Sequence, residues 1–299
     1  MDIVVAELTS NLVKHTKGGY FLAKKISGIN KGIEIICIDN GPGMASTGKM
    51  MEDGVSTVNT MGQGLGAIKR LSDEFDIYSI KDWGSILLAR IYNSKPKPSS
   101  KNEHLVNIVM VPKEGEKACG DACGFEVNGN YLKIAVSDGL GHGKEAEQAA
   151  LKSLESFEEH IMLSPKEQLK KIHEAIKKMR GAVMNITHID FDNNQLVYCG
   201  VGNISSRLQS PGKSKSCISY NGIVGHSIPT TLNNHVYQWS KNDMLVITSD
   251  GLNNRWDILK YPSITKHDGS ILAAALYKDH FRGNDDVTVA IIGQPKRTE

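Results

Sequence analysis

The chain lacks several features that would assign it to a specialised class. None of its apolar runs approaches the roughly 20 residues that cross a bilayer, so no membrane-spanning segment is expected. No basic region followed by an apolar stretch opens the chain, and a secretory signal is therefore not indicated. An excess of one charge is also missing, because 35 Lys and Arg against 33 Asp and Glu leave a net charge of +2. This balance argues against nucleic-acid binding by simple electrostatics.

Cysteine is scarce and shows no paired framework. The five cysteines are an odd number, and only Cys119 and Cys123 lie close together in sequence. With no second close pair, a zinc site is not expected, and the pattern fits the reducing cytoplasm. The length of 299 residues and 40% apolar content are sufficient for one to three ordinary domains.

A segment rich in Pro, Ser and Lys, NSKPKPSSKNE, divides the chain into two halves. We expect a first domain over 1–93, a linker over 94–103 and a second domain over 104–299. In the first half, an N-terminal helix, the buried strand in KGIEIICID and two strands around Asp82–Gly84 predict an α/β unit. In the second half, many strands and a helical stretch from Lys144 to about Met179, interrupted near Ser164, predict an α+β layered domain.

Three short motifs in the first half carry groups suited to a nucleotide. Glu7 and Asn11 are one helical turn apart, so a carboxylate and a Mg²⁺-binding amide oxygen share a helix face. Asp39, at the end of a strand, can accept a hydrogen bond from an exocyclic amine, and Gly41 and Gly43 let the backbone approach a flat ring. The glycines of GQGLG can expose backbone N–H groups to phosphate. Taken singly, each motif is also explained by an amphipathic surface helix, a turn or a flexible loop.

In this order, the segments ELTSN, DNGPGM and GQGLG resemble the N, G1 and G2 boxes of the GHKL ATPases, especially the anti-sigma-factor switch serine/threonine kinases. The resemblance spans Met1 to about Tyr92 and implies a Bergerat-type α/β sandwich that binds ATP with Mg²⁺. It implies that Glu7 is the catalytic base, Asn11 the magnesium ligand and Asp39 the adenine contact. It further implies that the following residues contact the nucleotide: Gly41, Gly43, Gly62, Gly64, Gly66 and Ser85. For His15 it leaves open a phosphate-side contact or a helix-end contact.

The chain departs from the family pattern at its start. Only six residues precede Glu7, whereas the family places a strand and two helices, about forty residues, before its N box. We therefore expect a GHKL unit without its usual first elements. Three explanations are open: that the chain is a fragment, that its start is placed late, or that a partner chain covers the exposed edge on which these kinases often dimerise.

In the second half, acidic residues recur beside glycines at strand ends. They occur in the segments CGDACGF, AVSDGLGHG, ITSDGLNN and GNDDVTVAII. A single Asp-Gly after a strand is an ordinary turn. Four acidic segments, each joined to a strand-forming run in one domain, predict that carboxylates converge on two hard cations, which activate a water for attack on phosphorus.

These segments resemble the PP2C-type Mn²⁺- or Mg²⁺-dependent phosphatases, in the SpoIIE-like branch, over about His104 to Gly293. Supporting stretches are SDGLGHGKEAEQAA, RGAVMNITHID, LVYCGVGNISSRL and GIVGHSIP. The resemblance implies a β-sandwich flanked by helices that holds two ions. The metal ligands it implies are Asp121, Asp138, the carbonyl of Gly139, Asp250 and Asp285, with Asp286 as the runner-up for the last position. His142 is a candidate proton donor to the leaving oxygen, and Lys117 is a candidate phosphate contact.

Together the two resemblances predict a cytoplasmic protein serine/threonine phosphatase with a kinase-like module. The implied substrate is a phosphorylated STAS-domain anti-sigma antagonist in a bacterial partner-switching pathway, and the implied assembly includes a homodimer. Two alternatives stay open: a phosphatase whose GHKL domain only senses nucleotide, and a non-catalytic scaffold that binds STAS partners.

Overall fold

A computed structural model of the chain describes residues 1–16, 18–28, 30–44, 64–96 and 105–293. Within these ranges, no helix is long and apolar enough to cross a membrane. The described residues form two compact units, one from 1–96 and 258–278, the other from 105–257 and 279–293. The predicted boundaries at 1–93, 94–103 and 104–299 stay a prediction, and residues 258–278 group with the N-terminal half rather than with their sequence neighbours.

The N-terminal unit is built from a four-stranded antiparallel sheet and two helices. Its elements are α1 (Asp2–His15), β1 (Gly19–Ile26), β2 (Gly32–Asp39), α2 (Gly64–Leu71), β3 (Glu74–Ile80) and β4 (Gly84–Tyr92). The strand order is β1-β2-β4-β3. Val4 and Leu8 of α1 and Ile68 of α2 are buried against Ile35 and Cys37 of β2, so both helices cover the same face of the sheet.

Segment 258–278 contributes charged partners to a buried side chain of this unit. It contains two short 3₁₀ turns (Ile258–Lys260 and Ile264–Lys266) and most of α5 (Gly269–His280). Arg90 of β4 is buried, and its Nε donates to Glu34 Oε2 at 2.7 Å while its Nη1 donates to Asp268 Oδ2 at 2.8 Å. An arginine can be buried here because its charge meets carboxylates at hydrogen-bonding distance.

The C-terminal unit consists of two antiparallel five-stranded sheets. Its strands are β5 (Val106–Val111), β6 (Asp121–Asn128), β7 (Tyr131–Gly139), β8 (Ala182–Asp190), β9 (Gln195–Val201), β10 (Ser205–Ser210), β11 (Lys213–Ser216), β12 (His235–Gln238), β13 (Met244–Thr248) and β14 (Val287–Ile292). The first sheet has the order β11-β10-β13-β14-β5 and the second β12-β9-β8-β7-β6. Leu132 and Ile134 of β7 pack with Leu245 and Ile247 of β13, which places the main core between the sheets.

Two helices cover the outer face of the second sheet. They are α3 (Lys144–Glu159) and α4 (Pro165–Ala175). Alternation along β7 directs Ala135 outward, where it packs with Phe157 of α3 and Leu169 of α4. The predicted β-sandwich with flanking helices is therefore confirmed for this unit, whereas the GHKL identity of the N-terminal unit stays a prediction.

The predicted interruption of the long helical stretch is also confirmed. Ser164 caps the N-terminus of α4 in a capping box, its Oγ and backbone N–H both donating to Glu167 Oε2, and Pro165 is the first residue of the helix. Proline fits there because the first helical N–H has no partner within the helix.

Candidate active site

Two of the predicted metal ligands face each other across one strand pair. Asp121 is the first residue of β6, and Asp138 lies near the end of β7. The antiparallel register pairs these two residues directly. Residues directly opposite in such a pair have β-carbons only about 4.5–5.5 Å apart, so the two carboxylates are close neighbours.

The other sheet brings two more acidic positions to the same cleft. Asp250 follows β13 and Asp285 precedes β14, and these two strands pair antiparallel. Asp138, Asp250 and Asp285 all line one cleft of about 410 Å³. The sequence thus folds so that strand ends from both sheets present carboxylates to a common cavity.

The aspartates of this site have raised pKa values. Burial, followed by the neighbouring charges of Asp121 and Asp250, raises the pKa of Asp138. Burial also raises the pKa of Asp121, although the hydrogen bond from Ser249 opposes this effect. Burial is also the main cause that raises the pKa of Asp285. Carboxylates held together in this way are stabilised in their charged form by a cation.

The two carboxylate oxygens of Asp121 have different surroundings. Its Oδ2 accepts a hydrogen bond from Ser249 Oγ at 2.7 Å. Its Oδ1 is buried and has no hydrogen-bond partner among the described residues. A buried carboxylate oxygen is rarely left unsatisfied, which makes this atom a suitable metal ligand.

The carboxylates of the cleft do not form a complete ligand set around a single ion. Among the described residues, no three His, Cys, Asp or Glu side chains form a group that would by itself enclose a metal ion. Mg²⁺ usually keeps several waters and binds through only one or two carboxylates. The donor set, with its orphaned oxygen and crowded carboxylates, therefore fits hydrated divalent ions.

Asp285 and Asp286 have different surroundings. Asp286 is 3% exposed, and its two carboxylate oxygens accept from Lys113 N and Gly120 N, each at 2.9 Å. Asp285 lines the cleft, whereas Asp286 ties two backbone segments together. Of the two, only Asp285 lines the cleft, and its role as a metal ligand stays a prediction.

Gly139 follows Asp138 at the end of β7. A β-carbon at this position would clash with the carbonyl oxygen of Ala146 in α3. Only glycine therefore lets the chain pass this close to the helix beside the predicted carbonyl ligand.

The predicted proton donor, His142, and phosphate contact, Lys117, have their observed contacts outside the wall of the cleft. His142 Nδ1 is 2.8 Å from Glu116 Oε1, and its side chain is about half exposed. Lys117 lines a separate open pocket with Glu116. Neither His142 nor Lys117 lines the cleft that contains Asp138.

Several supporting residues were not singled out from the sequence. Asn203 Nδ2 donates to Asp250 Oδ2 at 2.8 Å, and Ser249 Oγ donates to Asp121. Arg180 Nη2 would lie 3.3 Å from a β-carbon on Gly141, a residue that lines the cleft. The motifs RGAV and VGNISS contain Arg180 and Asn203, but they carry no metal-ligand pattern of their own.

In the N-terminal unit, part of the predicted nucleotide site comes together between α1 and α2. A β-carbon at Gly64 would lie 3.0 Å from Glu7 Oε2 and 3.7 Å from Asn11 Nδ2. Gly64 begins α2 and Gly66 is buried within it. The predicted Gly62 and the His15 side chain lie outside what the structure describes.

A second group of predicted nucleotide residues meets at the ends of β2 and β4. Asp39 Oδ1 accepts from Gly41 N at 2.7 Å and would lie 3.2 Å from a β-carbon on Gly84. Ser85, next to Gly84, is buried with its Oγ 2.9 Å from Ser79 Oγ.

Gly43 belongs to the same loop. It has a φ of +67°, and a β-carbon there would clash with the Ile80 carbonyl oxygen. The turn after Asp39 therefore requires glycine at this position.

Known proteins match the C-terminal unit most extensively. A family model described as Stage II sporulation protein E (SpoIIE) matches residues 128–293, more than half of the chain. The phosphoserine phosphatase RsbX of Bacillus subtilis (strain 168) is 31% identical over 155 residues, which are 51% of this chain and 77% of RsbX. A crystal structure of RsbX in complex with magnesium has a TM-score of 0.56 at 27% identity, covering 64% of this chain and 96% of that one.

Two further relatives extend the comparison. The PP2C phosphatase domain of SpoIIE from Bacillus subtilis, solved with a fragment of its regulatory domain, shares the fold with a TM-score of 0.53 at 15% identity, covering 98% of this chain and 87% of that one. The serine/threonine-protein kinase RsbT of Bacillus subtilis (strain 168) is 36% identical over 86 residues, 28% of this chain and 65% of RsbT. The match thus spans just under two thirds of the kinase.

The sandwich, the carboxylate cleft and these relatives define the class of protein. The chain is a serine/threonine phosphatase of the PP2C type. Within that class, it belongs to the SpoIIE family.

Proposed function

We propose that the chain is a cytoplasmic, metal-dependent phosphatase that dephosphorylates a STAS-domain anti-sigma antagonist in a bacterial partner-switching pathway. The observation that carries the metal dependence is the cleft, which Asp138, Asp250 and Asp285 line, together with the buried, unpartnered Oδ1 of Asp121, the residue paired with Asp138. The magnesium complex of RsbX supports the choice of Mg²⁺ or Mn²⁺. The STAS substrate is inferred from the family resemblance and the similarity to a phosphoserine phosphatase.

The residues that would hold two ions are Asp121, Asp138, the Gly139 carbonyl, Asp250 and Asp285. When bound, the ions supply an activated water and neutralise charge on the phosphoryl oxygens. Ser249 holds one carboxylate oxygen of Asp121 and Asn203 holds one of Asp250, which would leave the other oxygen of each to an ion. His142, which contacts Glu116, is the proposed proton donor to the leaving serine oxygen, and Lys117 stays a candidate phosphate contact.

A direct test uses a STAS protein phosphorylated on serine or threonine and follows its dephosphorylation in Mn²⁺. Asp250→Asn should abolish turnover. Asp192→Asn is the matched control, because Asp192 is an exposed aspartate that contacts Asn130 and does not line the cleft. No turnover of the phosphoprotein by a wild-type enzyme that hydrolyses other phosphoserine substrates would contradict the STAS assignment.

For the N-terminal unit, we propose a GHKL-type module that binds ATP with Mg²⁺ and phosphorylates the same STAS partner. The proximity of Glu7, Asn11 and Gly64 and the similarity to the kinase RsbT support this second activity. In this proposal Glu7 is the base, Asn11 holds the ion, and Asp39 contacts the adenine. Gly41, Gly43, Gly62, Gly64, Gly66 and Ser85 complete the proposed nucleotide site.

Transfer of labelled phosphate from ATP to the STAS protein tests this activity. Glu7→Gln should lose transfer but keep nucleotide binding, whereas Thr9→Ala, on the exposed side of the same helix, should change neither. Nucleotide binding without transfer by the wild-type chain would instead favour a nucleotide sensor. The non-catalytic scaffold is excluded by the enzyme class.

A further inference from the structure

The loop between β9 and β10 places an amide beside one of the proposed metal ligands. Asn203 Nδ2 lies 2.8 Å from Asp250 Oδ2, and both residues line the cleft. An ionised carboxylate can only accept hydrogen bonds, so the side of the amide that faces it must be the NH₂ group. The chemistry of the two partners thus fixes the direction of this contact.

The fold holds this contact in place from both sides. β10 pairs antiparallel with β13, with Ser205 opposite Thr248. Asn203 lies two residues before Ser205 and Asp250 two residues after Thr248, so the same register brings them together. The backbone carbonyl of Asp250 also accepts from Arg282 Nη1 at 3.1 Å.

The turn that carries Asn203 has a restricted backbone. Gly202 has a φ of +100°, and a β-carbon there would clash with the Val183 side chain. Its N–H donates to the Tyr220 carbonyl at 2.8 Å. The backbone conformation next to Asn203 is therefore restricted, which limits the directions that its side chain can take.

We propose that Asn203 is a positioning residue that engages Asp250 Oδ2 and leaves Oδ1 as the single oxygen offered to a divalent cation. The inference rests on the metal-dependent function proposed above. A carboxylate that binds a cation through one oxygen is oriented by whatever holds its other oxygen, and such supporting contacts typically matter by about 10- to 100-fold in metal affinity. Without the amide, Asp250 rotates freely and loses its preset direction toward the cation.

Equilibrium binding of Mn²⁺ to metal-free protein, followed by calorimetry or by the EPR signal of free Mn²⁺, tests this inference. Asn203→Ala should weaken the affinity by about 10- to 100-fold, while the thermal midpoint of the metal-free protein stays near the wild-type value. Saturating Mn²⁺ should restore most of the turnover, because Asn203 acts through the ion's ligand. The matched control is Asn130→Ala, which removes an asparagine–aspartate hydrogen bond of the same 2.8 Å length at the surface.

The outcomes separate the inference from the function on which it rests. Wild-type protein that binds no Mn²⁺ would overturn the metal-dependent function. Wild-type and Asn203→Ala proteins that bind Mn²⁺ equally would overturn the role of Asn203 alone, as would equal losses in Asn203→Ala and Asn130→Ala. If Asn203→Ala does not fold, Asn203→Ser carries the same expectation, because its hydroxyl is too short to reach Asp250 Oδ2.

Discussion

At the scale of single residues, Asp285 and Asp286 show how neighbours in sequence acquire different tasks. Asp285 faces the cleft with Asp138 and Asp250, whereas both oxygens of Asp286 are taken by backbone N–H groups. An aspartate pair before a strand predicts that one of them reaches the cleft, because successive side chains point to opposite faces. The backbone N–H groups of Lys113 and Gly120 bind Asp286 and so leave Asp285 to line the cleft. Both residues are far from the aspartate pair in sequence, so the sequence alone does not show which aspartate lines the cleft.

We predict that Asp285→Asn and Asp286→Asn separate activity from stability. Asp285→Asn removes a like charge from a crowded cleft, so the metal-free protein should unfold at the same or a higher temperature while activity falls by roughly 100-fold or more, beyond the usual loss for a residue that only supports a ligand. Asp286→Asn turns an amide donor toward a backbone N–H and should cost about 1–3 kcal/mol of stability. Thermal unfolding and phosphatase assays on both variants measure the contrast.

The reverse pattern would assign the ligand to Asp286. In that case Asp285→Asn would keep its activity, and Asp286→Asn would lose activity without a loss of stability.

Residues that support ligands are harder to predict than the ligands themselves. The acidic residues stand beside glycines at strand ends and are recognisable in sequence. Ser249 meets Asp121 across 128 positions, and Asn203 meets Asp250 across 47. Only the pairing of strands and the stacking of the two sheets bring these partners together.

At the scale of elements, strong periodicity and turn residues predicted most of the structure. The buried strand β2, the β3–β4 hairpin and the break before Ser164 all agree with the sequence. No pattern indicated β1, whose residues are largely exposed and show no regular alternation. The sequence likewise gave no clear signal for α5, because Ile271–Tyr277 is buried throughout and so lacks the polar face that marks an amphipathic helix.

The contact between β8 and α4 predicts a pH dependence of stability. His188 Nε2 lies 2.8 Å from Gln168 Oε1, and burial, aided by the charge of Lys133, lowers the pKa of His188 from 6.5 to about 3. Between these values the unfolded chain binds a proton that the folded chain does not, so this histidine makes stability fall as pH drops from about 6.5 toward 3. His188→Gln, which does not titrate, should lose less stability than wild type between pH 7 and pH 5.

Thermal midpoints at the two pH values measure this difference, and the acidic residues that titrate in both proteins cancel in the comparison. Equal losses in wild type and His188→Gln would contradict a buried, neutral His188.

At the scale of the whole molecule, two compact units each assemble residues predicted for a different reaction. The phosphatase unit matches its prediction in its β-sandwich, flanking helices and family. In the N-terminal unit the predicted first helix, β2 and the β3–β4 pair are present, while its nucleotide chemistry stays a proposal supported by Glu7, Asn11 and Gly64 and by the similarity to RsbT. The inclusion of 258–278 in this unit could not be predicted, because Arg90 meets Asp268 across 178 positions.

The central claim is that the acidic cleft hydrolyses phosphoesters only with divalent ions. Hydrolysis of an aryl phosphate by chelator-treated protein, measured as Mn²⁺ is added, tests it most directly. We predict no turnover without metal, a rise to saturation with Mn²⁺, and no turnover by Asp138→Asn at any Mn²⁺ concentration, because Asp138 lines the cleft with Asp250 and Asp285 and pairs directly with Asp121. Full turnover in excess chelator, or wild-type rates from Asp138→Asn, would contradict the account.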